Sequence, residues 1–241
     1  MRAYLNSFIL MTAIVVGVVF TGCQEEVVPP RVIETSTVTD VDGNVYKTVK
    51  IGNQWWMAEN LEVTRFNDST SLAYIAVDSV NSAWENETEA AYTSRNEGQY
   101  GLLYNFYTVE NSKNIAPEGW HIPTDEDWIT LEKEIGMSIE ETQALGWRGI
   151  NEAEKLTALY SAGWPAGAVL FGTDEFGFNA KPGGCRVFNG VTNGGNFAFW
   201  WTASTDGNEG WYRYIDASQT RIFRQHTYKG YGMSIRCVKN N

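Results

Sequence analysis

The chain has few of the residues that usually carry catalysis or bind metals. Its 241 residues include only two histidines, His121 and His226, and three cysteines. The histidines lie far apart in the sequence, and no Ser/His/Asp or metal-ligand spacing surrounds either one. Cys185 and Cys237 have no His or Cys neighbour at zinc-ligand spacing. We therefore predict no catalytic residue, no metal site and no cofactor, and we expect the protein not to be an enzyme.

Positive charge is also scarce. The sequence has 18 Lys and Arg against 29 Asp and Glu, which gives a formal net charge of −11, and the basic residues do not cluster. A protein that binds nucleic acid needs a basic patch, so we expect no nucleic-acid partner. The acidity is typical of a solvated surface, with a role in attracting cations or basic partners as the alternative.

Long apolar runs are absent except at the N-terminus. Arg2 precedes an almost unbroken apolar run from residue 8 to residue 20, and small residues then lead to Cys23. This pattern resembles a lipoprotein signal peptide over residues 1–22, with Cys23 lipidated, although a plain secretory signal or a membrane anchor is the alternative. Two lipid groups on Cys23 would anchor the protein stably. We therefore expect an outer-membrane, lipid-anchored protein at the cell surface.

The two remaining cysteines lie in the C-terminal part of the chain. In an oxidising compartment Cys185 and Cys237 are a candidate disulfide, which would tie a Gly-Gly turn to the last strand. Buried thiols are the alternative, because an unpaired cysteine is among the most often buried residues.

Several secondary-structure elements can be predicted from local patterns. Residues 23–38 lack periodicity and indicate a tether, so we place the domain at 39–241. Residues 45–51 alternate as a strand, and the turn Gly52-Asn53 predicts a hairpin with residues 54–57. Thr124 offers a helix N-cap with Asp127 three positions on, and Trp128, Leu131 and Ile135 lie on one helical face.

The rest of the chain alternates between irregular and strand-like segments. Residues 66–97 are rich in polar residues and predict an irregular surface excursion, whereas residues 100–109 predict a short strand followed by a short helix. Further short helices are expected after Ser138 and over residues 152–160, followed by a Gly-rich loop at 163–177. Beyond that loop, six strand-like segments separated by Gly and Asn predict antiparallel pairing.

Seven motifs in the chain resemble those of one known family. They are DGNVY at 42–46, QWWMAENL at 54–61, YGLLYN at 100–105, APEGWHIPT at 116–124, GFNA at 177–180, WTAS at 201–204 and SIRCVK at 234–239. In this order they resemble the Fibrobacter succinogenes major paralogous domain, which is common in secreted and lipid-anchored proteins of the Bacteroidetes and Fibrobacteres. The resemblance covers about residues 40–239.

The resemblance implies a fold but no activity. The family is similar to C-type-lectin-like folds, which implies an α+β domain with a small twisted antiparallel sheet, two or three flanking helices and long loops. The calcium-dependent sugar motifs of true C-type lectins are absent, and so is a clear counterpart of the paired cysteines of formylglycine-generating enzymes. No residue role can therefore be transferred from the family.

Aromatic residues outside the family motifs indicate where a ligand could bind. Ten Trp, twelve Tyr and eleven Phe exceed ordinary usage, and aromatic side chains give rigid contact area for sugars or proteins. Trp147 and Trp164 lie outside the motifs, beside Arg148, Asp174 and Glu175. We predict these five as ligand-binding residues, with packing as the alternative.

Two short motifs indicate a modification. Asp-Ser-Thr at 68–70 and Asp-Ser-Val at 78–80 resemble the O-glycosylation pattern of Bacteroidetes, so Ser69 and Ser79 are predicted acceptors. Together these features predict a non-enzymatic surface lipoprotein that binds a glycan or a protein through aromatic loops. A structural or assembly subunit of an envelope or fimbrial complex is the alternative, and a carbohydrate-active enzyme is a minor one.

Overall fold

The computed structural model describes residues 31–77, 82–94, 99–159, 163–188, 190–192 and 194–241. Residues Arg31–Asn241 form one compact unit. Within the described residues, no helix has both the length and the apolar character that a membrane span requires.

The described part of the chain contains fifteen strands and five short helices. The strands are β1 Thr35–Thr39, β2 Val45–Ile51, β3 Gln54–Met57, β4 Ala73–Tyr74, β5 Ala91–Ser94, β6 Leu102–Asn105, β7 Trp120–His121, β8 Gly146–Arg148, β9 Cys185–Val187, β10 Gly190–Thr192, β11 Phe197–Asp206, β12 Glu209–Asp216, β13 Ile222–Tyr228, β14 Gly232–Met233 and β15 Val238–Lys239. The helices are α1 Ser82–Glu85, α2 Phe106–Val109, α3 Asp125–Glu134, α4 Ile139–Gln143 and α5 Glu152–Leu156.

These strands form three sheets rather than the single small sheet that was expected. Their strand orders are β1-β2-β3-β15-β7, β10-β9-β14-β6-β5-β4 and β11-β12-β13-β8. Pairing is antiparallel except between β4 and β5. The protein is therefore a β-rich α+β domain with few helical residues.

Local sequence explains the hairpin and the longest helix. Gly52 adopts φ +59° in the turn between β2 and β3, where Thr48 pairs with Met57. At α3, the Thr124 side chain accepts a hydrogen bond from the Asp127 N–H, and Asp127 accepts one from the Thr124 N–H. This reciprocal capping box confirms the predicted start of the helix.

Two hydrophobic cores lie on opposite faces of β11. Consecutive side chains on a strand point to opposite faces, and Trp200 and Trp201 are both almost fully buried. Trp200 packs with Trp128 of α3 and with Phe178, whereas Trp201 belongs to the second core and contacts Phe106 edge-on at 5.2 Å. Strand β11 thus ties the helical side of the domain to the six-stranded sheet.

Three predictions about segments need correction. Strand β1 lies inside the predicted tether, where Thr35–Thr39 pairs with β2 over five positions. The predicted surface excursion supplies β4 and β5 to the six-stranded sheet and contains α1, whose Trp84 is buried with its indole N–H bonded to the Gly230 carbonyl at 2.7 Å. Residues 176–180, the first of the six segments predicted as strands after the Gly-rich loop, instead form a loop with an isolated bridge from Ala180 to Thr157.

The two C-terminal cysteines are buried thiols rather than a disulfide. Cys185 lies on β9 in the six-stranded sheet, whereas Cys237 directly precedes β15 of the five-stranded sheet. Burial raises the pKa of the Cys237 thiol far above its ordinary value, which keeps the thiol protonated. The structure therefore supports the alternative of buried thiols and not the predicted disulfide.

Candidate functional site

Of the five predicted ligand-binding residues, Trp147 lies at a surface suited to binding. It is partly exposed on β8, the edge strand of the four-stranded sheet. Its ring contacts Tyr214 at 4.9 Å and Phe223 at 5.1 Å between centroids, both edge-on. The Arg221 guanidinium lies 5.9 Å from the Trp147 ring centroid. Trp147 is thus part of a larger aromatic surface on the sheet rather than of a loop.

Arg148 and Trp164 are buried, so the structure corrects their assignment as surface ligand residues. Arg148 is 2% exposed, and its guanidinium donates to both carboxylate oxygens of Glu132, at 2.6 and 2.8 Å. Trp164 is 6% exposed and its indole N–H bonds to the Ala180 carbonyl at 3.0 Å. Sequence alone could not reveal this, because the partners lie on segments at least sixteen residues away.

Asp174 and Glu175 lie in the loop before Phe178, away from the ring contacts of Trp147. Asp174 adopts φ +48°, and its carboxylate accepts the Asn179 N–H at 2.7 Å. Burial raises the pKa of Asp174, although the Asn179 hydrogen bond and the Arg236 charge oppose the shift. Glu175 is exposed. Asp174 therefore stabilises the conformation of its own loop.

The outer face of the four-stranded sheet carries an aromatic row, which we define as Phe199, Tyr214, Phe223 and Trp147. Strand register places them side by side, since Phe199 pairs with Tyr214, Tyr214 with Phe223, and Phe223 with Trp147. Ring centroids are 4.9 Å apart for Phe199 and Tyr214, and 4.5 Å for Tyr214 and Phe223. Four strands at the usual spacing make this row about 14 Å long.

The row runs from the second core to the surface. Phe199 is buried, whereas Tyr214, Phe223 and Trp147 are partly exposed. Burial and the nearby Asp216 carboxylate raise the pKa of Tyr214 to about 12, so its hydroxyl is neutral and available for hydrogen bonds. An apolar row with polar groups close by is the arrangement that ligand-binding surfaces share.

A second feature is a polar cavity of about 240 Å³, which shares no lining residue with the aromatic row. It is lined by Asn44, Val45, Tyr46, Ala58, Glu59, Asn60, Glu62, Gln99, Tyr100, Gly101, Asn179, Lys181 and Arg236. Ten of these thirteen residues belong to the motifs at 42–46, 54–61, 100–105, 177–180 and 234–239. Glu62, Gln99 and Lys181 are the exceptions. The motifs thus converge in space on one cavity.

Asn60 and Arg236 form the floor of this cavity. The Asn60 side-chain oxygen accepts from the Arg236 Nε at 2.7 Å and from the Trp200 indole at 2.9 Å. Its amide donates to the Tyr100 carbonyl at 2.6 Å. Burial lowers the pKa of Arg236 to about 9, against the raising effect of Asp174 and of a nearby glutamate. The floor is therefore a buried, hydrogen-bonded group that contacts Trp200 of the first core.

Among the remaining predicted sites, Ser69 is exposed in a turn at φ +68°, with Asp68 accepting from the Thr70 N–H at 2.9 Å. Ser79 and Cys23 lie outside the described residues. In the described part of the chain, no group of three or more His, Cys, Asp or Glu side chains is placed to hold a metal ion.

Sequence reasoning placed Phe199, Tyr214 and Phe223 in strand-like segments and Trp147 among the ligand-binding residues, but it did not bring the four together in one row. A sequence pattern that could have revealed the row is an aromatic residue directly next to an arginine, which occurs in three of the strands: Trp147-Arg148, Arg213-Tyr214 and Phe223-Arg224. Alternation on a strand then places the three aromatic residues on one face and the three arginines on the other.

Comparison with known proteins agrees with the motifs. The family model described as the Fibrobacter succinogenes major domain matches residues 49–239. No curated protein and no solved structure matches the chain significantly. The match spans most of the chain and all three sheets, and we conclude that this protein belongs to the Fibrobacter succinogenes major domain family.

Proposed function

We propose that this protein is a non-enzymatic surface lipoprotein that binds a glycan across the aromatic row. The single observation that carries the proposal is the register of the four-stranded sheet, which lines up Phe199, Tyr214, Phe223 and Trp147 on one partly exposed face. Sugar rings present apolar C–H faces that stack on aromatic rings, while their hydroxyl groups need polar partners at the edge.

Polar side chains beside the row support this ligand class. Gln225 on β13 and Arg221, which directly precedes β13, flank Phe223 at two-residue spacing, and Asp216 flanks Tyr214 in the same way on β12. Residues two apart on a strand share a face, so these polar groups lie beside the rings. A protein-binding face would instead be expected to have a drier, larger apolar centre.

The location of the protein is part of the same proposal. Lipidation of Cys23 and placement at the outer membrane are supported by the N-terminal motif and by the kind of proteins in which the family occurs. Kinship with C-type-lectin-like folds is supported by the family resemblance, together with an α+β domain that is rich in antiparallel strands. A glycan-binding module at the cell surface fits these features together.

A glycan array with residues 31–241 tests the proposal. The domain has to begin at Arg31, because a start at the predicted boundary, residue 39, would remove most of β1. We expect Trp147→Ala to lower affinity for the bound glycan about tenfold or more, as for an aromatic anchor. The matched control is Trp55→Ala, which removes another partly exposed tryptophan from a different sheet.

Two results would contradict glycan binding. One is an array without any hit for the wild-type domain, and the other is an equal loss of affinity in the Trp147 and Trp55 variants. Stable co-purification with one neighbouring protein, combined with a blank array, would instead favour the structural or assembly subunit. Melting temperatures of both variants separate loss of binding from loss of folding.

A further inference from the structure

We propose that the polar cavity above Asn60 is a second binding site, which takes the protonated amino group of an amino sugar. The cavity is distinct from the aromatic row, because the two share no residue. Its volume of about 240 Å³ lies below the range of drug-sized pockets and suits a single small ring. The inference goes beyond the proposed function and does not depend on it.

The charges on the cavity wall indicate the chemistry of the ligand. Glu59 and Glu62 lie on the segment after β3, and Lys181 lies on the segment after the Asn179 turn. Among the described residues, none of these three side chains takes part in an ion pair, whereas Lys229, Arg65 and Lys50 on the same molecule do. Two carboxylates and one ammonium group are thus available to a ligand, whereas the Arg236 guanidinium is engaged by Asn60 and the Asn179 carbonyl.

Glu59 and Glu62 carry like charges at the cavity wall. Partial burial, followed by the charges of Glu59 and Asp40, raises the pKa of Glu62, so a cationic group beside this carboxylate would be favoured. Glu59 uses one carboxylate oxygen to accept the Lys47 N–H at 2.8 Å, and its other oxygen has no hydrogen bond to the described residues. A protonated amine would relieve this repulsion and form charge-assisted hydrogen bonds.

The other lining groups fit a sugar better than a simple amine. Asn44, Gln99 and Tyr100 present amide and phenol groups that can both donate and accept hydrogen bonds. Lys181 also lines the cavity and can donate a hydrogen bond to a ring or hydroxyl oxygen. The hydrogen-bonded floor of Asn60 and Arg236 is already satisfied, so it shapes the cavity without competing for the ligand.

A set of three monosaccharides tests the amine requirement. Titration of residues 31–241 by NMR at about pH 7, where the amine is largely protonated and carboxylates are ionised, should show binding of glucosamine. N-Acetylglucosamine and glucose have the same ring without the charge, and we expect each to bind about tenfold more weakly or not at all. Added salt should weaken glucosamine binding.

Substitutions locate the site. Glu62→Gln removes the charge of a cavity-wall side chain for which the described residues provide no hydrogen bond, and we expect glucosamine affinity to fall about tenfold. Glu118→Gln, another exposed glutamate outside the cavity and without an ion pair in the described structure, should leave the affinity unchanged. Trp55→Ala, which lies outside both the cavity and the aromatic row, should also leave it unchanged.

The proposal is wrong if the wild-type domain binds no glucosamine at millimolar concentration, or if N-acetylglucosamine binds equally well. It is also wrong if Glu62→Gln and Glu118→Gln reduce affinity equally, because that result would reflect the overall negative charge. Glu59→Gln provides a second cavity variant and should weaken glucosamine binding as well. A failure here leaves the array result for the aromatic row intact.

Discussion

Replacing Glu132 by Gln should strongly destabilise the domain. Glu132 is fully buried in α3 and accepts three hydrogen bonds, two from Arg148 at 2.6 and 2.8 Å and one from the Arg213 Nε at 2.8 Å. Glutamine keeps the shape but removes the charge, and its amide N–H groups would face guanidinium donors. Removing one partner of a buried ion pair costs about 3–5 kcal/mol, because the other charge stays buried without compensation.

The remaining partners set the size of this effect. Arg213 would still donate to Asp125 at 2.7 Å, whereas Arg148 would keep only the Thr142 carbonyl at 3.0 Å and a weak contact to the Met137 sulfur. Most of the loss should therefore come from Arg148. A second substitution, Arg148→Met, should restore part of the stability of Glu132→Gln, since it removes the uncompensated charge.

Urea denaturation followed by tryptophan fluorescence measures the free energies of unfolding. The matched control is Glu126→Gln on the same helix, which is exposed and should change stability by less than about 0.5 kcal/mol. A loss below about 1 kcal/mol for Glu132→Gln would refute the reasoning, as would an Arg148→Met double variant that is less stable than the single one.

Two further predictions concern a histidine and a glycine. The Asp127 hydrogen bond raises the pKa of His121 above 6.5. The charged pair therefore stabilises the fold below pH 6.5, and this stability is lost as the pH rises through the raised pKa. His121→Gln should make the free energy of unfolding, measured by urea titration, less dependent on pH in this range. Gly101→Ala should destabilise the domain by about 1–3 kcal/mol more than Gly43→Ala in thermal melts. The two glycines have similar φ angles, +85° and +89°, but only at Gly101 would the new Cβ lie 2.5 Å from the Asn60 Cβ.

The elements that sequence predicted well are those determined by neighbouring residues. The β2–β3 hairpin depends on two turn residues, and the start of α3 depends on Thr124 and Asp127 within one helical turn. Such local interactions leave a pattern that can be read without knowing the fold. The short strand and helix over residues 102–109 were predicted for the same reason.

The candidate site could not be predicted in the same way, because it depends on pairing between distant segments. Strand β8 has only three residues and pairs with β13, about 75 positions later in the chain. Before that pairing is known, Trp147 and Arg148 look alike as residues of a Gly-rich connection. The fold then gives them opposite roles, one partly exposed in the aromatic row and one buried against Glu132.

The buried arginines and the aromatic row depend on the same register. Arg148, Arg213 and Arg224 lie on the inner face of the four-stranded sheet, and each is adjacent in sequence to a member of the row. All three are bound by α3, through Glu132 or Asp125. A slip of one residue would exchange the two faces of a strand, burying an aromatic residue against two carboxylates and exposing an arginine.

We therefore infer that the ion-pair network selects the register that lines up the row. Within the four-stranded sheet, β8 has the fewest pairing positions, three with β13, so Arg148 is its main additional restraint. In Glu132→Gln, amide hydrogen exchange should accelerate first in β8 while β11 and β12 remain protected. Uniform acceleration across all three sheets would contradict this, because it would mean that the network stabilises the whole domain rather than the alignment of the aromatic row.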